Sequence, residues 1–288
     1  MDEQETWVTE PVEYLAVGHV THDILPDASY VVGGTVSYAA LTAVALNRAV
    51  GILTSAGGDF DRGPFGGRVM ISCLPAERTT TFRNRYVNGC RHQIVYGVAN
   101  PLTPAMVPAA WAAPTIAHIG PVINECAPSL VQSFAAGTFV GLTPQGWMRS
   151  TNGDGNVHRH PWHAAEELLP RASAVVFSID DIEGDWELAR DFASQAPLLV
   201  VTEGRNGGTL FADGVAHRFP ALMVPEVDPT GAGDIFAATF FATLASGELP
   251  LEAARFAACV ASRSVTRVGL RGVPSEDEIA LCHQRIAS

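Results

Sequence analysis

Six short apolar runs limit what this chain can fold into more than any other feature. They are "VEYLAVGHV" (12–20), "VGILTSAGGD" (50–59), "TIAHIG" (115–120), "TFVGLT" (138–143), "SAVVFS" (173–178) and "PLLVVT" (197–202). Each stays largely apolar instead of alternating with polar residues, the pattern of a strand covered on both faces. Helical stretches stand between several of them. The first, "GGTVSYAALTAVALNRA" (33–49), opens on Gly-Gly, is built of small residues and closes on Asn and Arg. Strand, helix and strand joined by short connections predict an α/β fold with a mostly parallel sheet covered by helices.

The rhythm changes at "RTTTFRNRYVNGCRHQIVYGVANP" (78–101), where Thr, Phe, Tyr, Val and Ile alternate with polar residues around the turn-forming "VNGC". This predicts an antiparallel ribbon at about 78–99 with one wet face, a lid or a dimerisation arm, and 24–32 is a candidate second piece of it. Further on, "GTLFADG" and "VAHRFPA" predict a hairpin closed at Asp213 and Gly214. The C-terminal part is expected to be helical over "GAGDIFAATFFATLASG", "PLEAARFAACVASRSVTRVG" and "SEDEIALCHQRI". The 288 residues contain no internal repeat and no low-complexity linker, so the expected organisation is one domain, 1–288, with the lid as an insertion.

All 18 basic residues are Arg, and there is no Lys. A Lys-bearing phosphate loop and Schiff-base chemistry are thereby excluded. The net charge of −12 argues against a phosphate-backbone partner, so no nucleic acid is expected. The five cysteines are scattered without a CxxC pair and support neither a zinc knuckle nor a redox motif. Cys259, in an apolar helical context, is expected to act as a small buried hydrophobe. The start, "MDEQETWVTEPVEY", is too acidic for a secretory signal, and the apolar runs are too short for a membrane span. No membrane partner and a cytoplasmic location are the expectations. His158, His160 and His163 in "HRHPWH" lack an acid or Cys in zinc spacing and are read as a surface loop. No G-x-S-x-G elbow supports an esterase, and no G-x-G-x-x-G follows the first strand, which disfavours a dinucleotide dehydrogenase.

The chemistry concentrates in "EVDPTGAGDIFAATFFATLASG" (226–247). Gly231 and Gly233 let the backbone turn tightly and approach a ligand. The first N–H groups of the following helix have no intrahelical partner, and the helix dipole adds partial positive charge there. Together they make an anion site without a cationic side chain. Asp234 either complements the dipole or, beside a bound phosphoryl group, takes the proton of an attacking hydroxyl.

The longer string "DPTGAGDIF" resembles the C-terminal signature of the PfkB, or ribokinase-like, carbohydrate kinases, D-T-x-G-A-G-D, at Asp228, Thr230, Gly231, Ala232, Gly233 and Asp234. The similarity continues in order over nearly the whole chain. "VVGGTVSYAA" resembles the family's N-terminal Gly-Gly motif, and "GHVTHDIL" places Asp23 where the family has a substrate-binding acid. "GGDFDRGPFGG" is similar to the G-x-D-x-x-G-x-x-x-G region before the lid, and "VVTEGRNGG" to the T-x-G-x-x-G loop through Thr202, Gly204 and Gly207. The resemblance implies a three-layer ribokinase-like fold with a small antiparallel β lid and an ATP-dependent kinase acting on a small sugar or polyol. It implies Asp234 as general base and Gly231, Ala232 and Gly233 as the anion hole. Asp23, Gly33 and Gly34 would hold the substrate. Ser178, Thr202, Gly204, Gly207, Asp228, Thr230, Ala258 and Ser262 would flank the nucleotide. Mg²⁺ is implied as cofactor, a monovalent cation is an open further requirement, and the lid offers a homodimer contact.

Two departures stand out. The family's Asn after the Gly-Gly is Tyr38 here, and its N-x-x-E is replaced within "VVFSIDDIEGD". Either Ser178 with Asp181 or Asp180 with Glu183 takes that place, so Asp181 or Glu183 serves the metal's water shell. "GLTPQGWMR" (141–149) resembles the D-x-Q…R stretch of plant inositol kinases, with Thr143 replacing the Asp and Arg149 available for a transferred phosphate. An inositol-like acceptor is therefore favoured. Two alternatives stay open: a nucleoside acceptor with its base on Tyr38, and a catalytically silent nucleotide-binding relative.

Overall fold

The computed structural model describes residues 9–87 and 90–287. The opening residues 1–8, and positions 88–89 of the expected "VNGC" turn, lie outside the described residues. In chain order the strands are β1 (Tyr14–Val17), β2 (Thr21–Ile24), β3 (Tyr30–Gly33), β4 (Val50–Ala56), β5 (Val69–Pro75), β6 (Thr80–Val87), β7 (Cys90–Gly97), β8 (Ile116–Ile119), β9 (Phe139–Leu142), β10 (Arg149–Thr151), β11 (Val157–Arg159), β12 (Ala174–Ser178), β13 (Leu198–Thr202), β14 (Gly208–Ala212) and β15 (Val215–Phe219). The helices are α1 (Thr35–Ala45), α2 (Ala165–Leu168), α3 (Trp186–Gln195), α4 (Ala232–Ala245), α5 (Pro250–Ser264) and α6 (Glu276–Ala287).

All six apolar runs are strands of one nine-stranded sheet, in the order β15-β14-β13-β12-β9-β8-β1-β4-β5. Pairing is parallel from β13 through to β5, and only the expected hairpin β14–β15 runs antiparallel at its edge. The reason the runs do not alternate is visible in β1. Tyr14 and Ala16 enter the core under α1, α4 and α5, whereas Leu15 and Val17 enter a second core on the opposite face. Successive side chains point to opposite faces, and both faces are dry. The layers are those of a ribokinase-like fold.

The ribbon expected at 78–99 forms β6 and β7, which pair antiparallel. The segment 24–32 joins it through the antiparallel hairpin β2–β3, and the two hairpins meet at a parallel β2–β6 pairing. A further hairpin, β10–β11, lies against β7, where the Gly155 carbonyl in its loop accepts from the Val95 N–H (2.9 Å). The "HRHPWH" stretch runs off β11; His158 and His160 are exposed or half-exposed, but Trp162 is buried and stacks on Trp147. Among the described residues no group of three or more His, Cys, Asp or Glu could hold a metal ion. No described helix is long and apolar enough to cross a membrane.

Cys259 is not a lone hydrophobe. It is buried, as expected, but bonded to Cys282, which ties α5 to α6 across a sequence separation of 23. Closing a loop of that length restricts the unfolded chain by about 3 kcal/mol on the chain-entropy model. Oxidised protein is therefore expected to unfold at higher urea than Cys282→Ser or reduced protein, by an amount corresponding to about 2–4 kcal/mol. Coincident urea curves for the three would remove the cross-link from the account.

Candidate active site

Going from β1, the chain adds β4 and β5 on one side of the sheet and β8, β9, β12 and β13 on the other. The reversal falls between β1 and β8, and open α/β sheets collect ligands outside the carboxyl ends of their strands at such a point. The segments at and beyond those ends are 18–23, which runs into β2, 57–63, 120–125, 143–149, 178–183 and 202–207. Every one of them contains a residue or motif singled out from the sequence or a side chain that pins one.

The signature string reaches the same end of the sheet as the first turn of α4. Gly231 caps the helix with φ +80°, and a Cβ there would meet the Tyr38 ring at 2.3 Å. Tyr38 itself is 3% exposed, its ring covered by Gly231. The Ala232 N–H donates to the Pro229 carbonyl (3.2 Å), and the Ile235 N–H donates to Gly231 (2.9 Å). The N–H groups of Gly233 and Asp234 lie ahead of that helical ladder, in the turn where orphan donors face outward. Asp228 accepts from the N–H of Thr230 (3.0 Å) and of Gly269 (2.8 Å), so its carboxylate anchors the loop to the 269–272 turn.

On the small-sheet side, Asp23 and Gly33 are brought together: a Cβ on Gly33 would lie 2.4 Å from Asp23 Oδ2. Gly34 caps α1 next to them. The loops after β1 and β8 are fastened to each other by Glu125, which is 3% exposed. Its carboxylate accepts from the N–H groups of His19 (3.0 Å), Val122 (2.9 Å to each oxygen) and Ile123 (2.8 Å).

Arg149 begins β10. Its guanidinium reaches the Val122 carbonyl (3.4 Å) and Asp181 (3.9 Å), with its side chain 14% exposed. Asp181 also accepts from Gln145 Nε2 (2.8 Å) and from the Ser178 N–H (2.9 Å), so Ser178 and Asp181 share one turn. Glu183 stands apart, its side chain 68% exposed and paired with Arg159 (3.4 Å). Beyond this turn, Asp180, Trp186, Glu203, Arg205 and Glu226 line an open cleft of about 530 Å³ that also takes in Gly204. Thr202 faces the same strand ends through a long bond to the Phe177 carbonyl (3.5 Å). Ser262 accepts from the Leu222 N–H (3.0 Å) and donates to the Ala258 carbonyl (2.7 Å), bracing the loop that leads to the signature.

Three polar groups that the sequence reading did not single out complete the picture: Glu125, Gln145 and His118. His118 lies mid-strand in β8 with Nδ1 2.7 Å from the Tyr14 hydroxyl and Nε2 2.9 Å from Thr143 Oγ1. Burial pushes its pKa down to about 3. Burial, with Asp234's negative charge adding to it, pushes the Tyr14 hydroxyl well up. A titratable residue inside an apolar strand run was the available signal for His118.

The His118 shift sets a pH dependence. Below pH 6.5 the unfolded chain takes up a proton that the folded site refuses until about pH 3. The contribution is whole above pH 6.5 and is lost as pH falls from there toward 3, at about 1.4 kcal/mol per pH unit. His118→Gln is expected to be less stable than wild type at pH 7, with the two unfolding free energies converging as pH falls to 4; parallel curves would contradict it. At the helix cap, Gly231→Ala forces both a positive φ and a clash with Tyr38. We expect a loss of about 1–3 kcal/mol in urea unfolding, and no loss would show that this turn is plastic.

Three comparisons bear on this geometry. Residues 149–277 match the model of the pfkB family carbohydrate kinases. Inositol 3-kinase of Oryza sativa subsp. japonica is 27% identical over 281 residues, spanning 91% of this chain and 70% of the relative. Cytidine kinase of Thermococcus kodakarensis is 25% identical over 258 residues, 84% of this chain and 91% of the relative. Among solved structures, a pyrophosphate-dependent kinase of the ribokinase family in its sulfate complex superposes with a TM-score of 0.80 at 22% identity, covering 93% of this chain and 99% of that one. On a ribokinase-like fold, with the D-P-T-G-A-G-D turn at the head of α4, it is the C-terminal part of this chain, residues 149–277, that matches the pfkB family of carbohydrate kinases.

Proposed function

We propose that the chain transfers the γ-phosphoryl group of ATP to a hydroxyl of a small sugar or polyol, an inositol-like ring being favoured. One observation supports the reading: Gly231, which caps α4 three residues before Asp234, packs on Tyr38 of α1, and α1 is itself capped by Gly34 next to Gly33 and Asp23. Asp234 takes the proton from the attacking hydroxyl. The turn formed by Gly231, Ala232 and Gly233 faces the charge that grows on the phosphoryl oxygens, and such preset donors are worth a few kcal/mol, roughly 2.7–4 each in comparable sites. Asp23, Gly33 and Gly34 hold the acceptor, and closure of the small sheet over it excludes water. Exposed Tyr30, Val31 and Tyr96 on that sheet support a homodimer contact there.

The donor side favours a nucleotide over bare pyrophosphate. Two carboxylates, Asp180 and Glu226, face one arginine, Arg205, in the cleft, while Glu203 beside them is paired with Arg218. That balance is unfavourable for a small, highly charged anion, while half-buried Trp186 offers an apolar face to a base. Mg²⁺ enters as part of the substrate, on the nucleotide's phosphates. Asp181 already accepts from Gln145 and the Ser178 N–H and is paired with Arg149, so it fits a place in the ion's water shell and not a direct ligand; Glu183 is the alternative. Tyr38, buried under Gly231, offers no open ring face to a nucleoside base.

The test is ADP release from MgATP across inositols, hexoses, pentoses and nucleosides, with phosphate release from pyrophosphate alongside and Asp234→Asn in parallel. Turnover on one polyol is expected, falling about 10²–10⁴-fold in the variant. A variant that turns over normally would sink the general-base assignment, and binding of nucleotide without any turnover would favour a silent relative.

A further inference from the structure

Three buried polar side chains form a line across the sheet face beneath α4: Tyr14 from β1, His118 from β8 and Thr143 at the end of β9. They are 0%, 1% and 7% exposed, and the Phe241 ring lies edge-on to His118 with centroids 5.0 Å apart. A neutral imidazole carries one N–H and one acceptor nitrogen, so the line admits two proton arrangements. With the proton on Nδ1, it would point at the Tyr14 oxygen, and the Tyr14 O–H would be buried with no other hydrogen-bond partner among the described residues. With the proton on Nε2, Tyr14 donates to Nδ1, and Nε2–H donates to Thr143 Oγ1. The first arrangement strands a proton on Tyr14, which is wholly buried, whereas the second moves it to Thr143, the more exposed end of the line. The second leaves one proton over, that of the Thr143 hydroxyl, for which the described residues supply no acceptor.

Thr143 is placed to use that proton on a ligand. A Cβ added at Gly120 would come within 2.8 Å of Thr143 Oγ1 and 2.4 Å of Thr35 Cγ2. The hydroxyl thus sits where the ends of β8 and β9 meet the first residue of α1, directly after Gly33 and Gly34. Resting on the kinase reading above, we propose that Thr143 is an acceptor-binding residue that donates its hydroxyl proton to an oxygen of the bound polyol, and that His118 and Tyr14 are positioning residues that dictate this direction. An ionised Asp, which the similar D-x-Q…R stretch carries at this place, can only accept. The substrate oxygen that Thr143 reads is one with a free lone pair, such as a hydroxyl whose own proton is given to a neighbouring carboxylate.

The relay is tested first in the ligand-free protein, by ¹⁵N NMR of the His118 ring. The Nε2–H tautomer is expected in wild type, and Tyr14→Phe, which removes one hydroxyl without changing the ring, should release the Nδ1–H form. An Nδ1–H wild type overturns the proposal. In turnover assays Thr143→Val should raise the acceptor KM about tenfold with the donor KM within about twofold, while Thr143→Ser restores most of the loss. Tyr14→Phe should raise the acceptor KM by about threefold with little change in kcat. An acceptor KM unchanged in Thr143→Val also overturns the proposal. Absence of turnover on every acceptor would count against the kinase reading instead, and the tautomer measurement then decides the relay by itself.

Discussion

The seating of α4 on the parallel sheet is the contact on which the rest of the site depends. Phe241 lies where any side chain on Gly141 would stand, since a Cβ there would come within 2.5 Å of its ring. Phe236, Phe240 and Phe241 are all buried, and Phe219 stacks on Phe236. A helix that is apolar on nearly every side has no face left for solvent and is held from all directions. Sliding it by one residue would turn it by about 100° and shift it about 1.5 Å, which would take Asp234 away from the strand ends. The precision of the first turn is bought by the aromatic packing two to three turns further along.

The loops around the cleft are irregular, so their backbone groups need partners that secondary structure does not supply. Side chains from other loops provide them. Glu125 serves three N–H groups from the loops after β1 and β8; Asp228 joins the signature to the 269–272 turn; Asp181 holds Ser178 and Gln145; Ser262 holds Leu222. In each case a polar residue that would be costly to bury alone is satisfied by the backbone that it orders. Asp228 and Glu125 thus serve to fix loop geometry.

The charge distribution gives the site its character. With a net charge of −12 and no Lys, the chain cannot collect phosphate on flexible ammonium groups. Backbone dipoles at α4 and the guanidinium groups of Arg149, held beside Asp181 and the Val122 carbonyl, and of Arg205 in the cleft are what it offers instead. Backbone donors are fixed by the helix and need no side-chain ordering when a ligand arrives, which suits stabilisation of charge in a transition state more than tight binding of a ground-state anion.

The amino-acid sequence alone determined the parallel α/β core, the ribbon, the edge hairpin and the signature turn. All of these follow from patterns within a few residues: apolar runs, alternation, and glycines ahead of an apolar helix. It also carried Asp23, Asp181, Arg149 and Asp234 as candidates by residue type and motif. Only the tertiary structure decided that Tyr38 lies buried against Gly231, that Ser178 and Asp181 share a turn while Glu183 faces Arg159, and that Cys259 finds Cys282. The polar pins were equally out of reach, because their partners are far apart in the chain: 106 residues from His19 to Glu125 and 104 from Tyr14 to His118. Local pattern specifies which way a side chain faces along its own element. Which group it meets there is set by strand order and register, and these exist only once the sheet has closed.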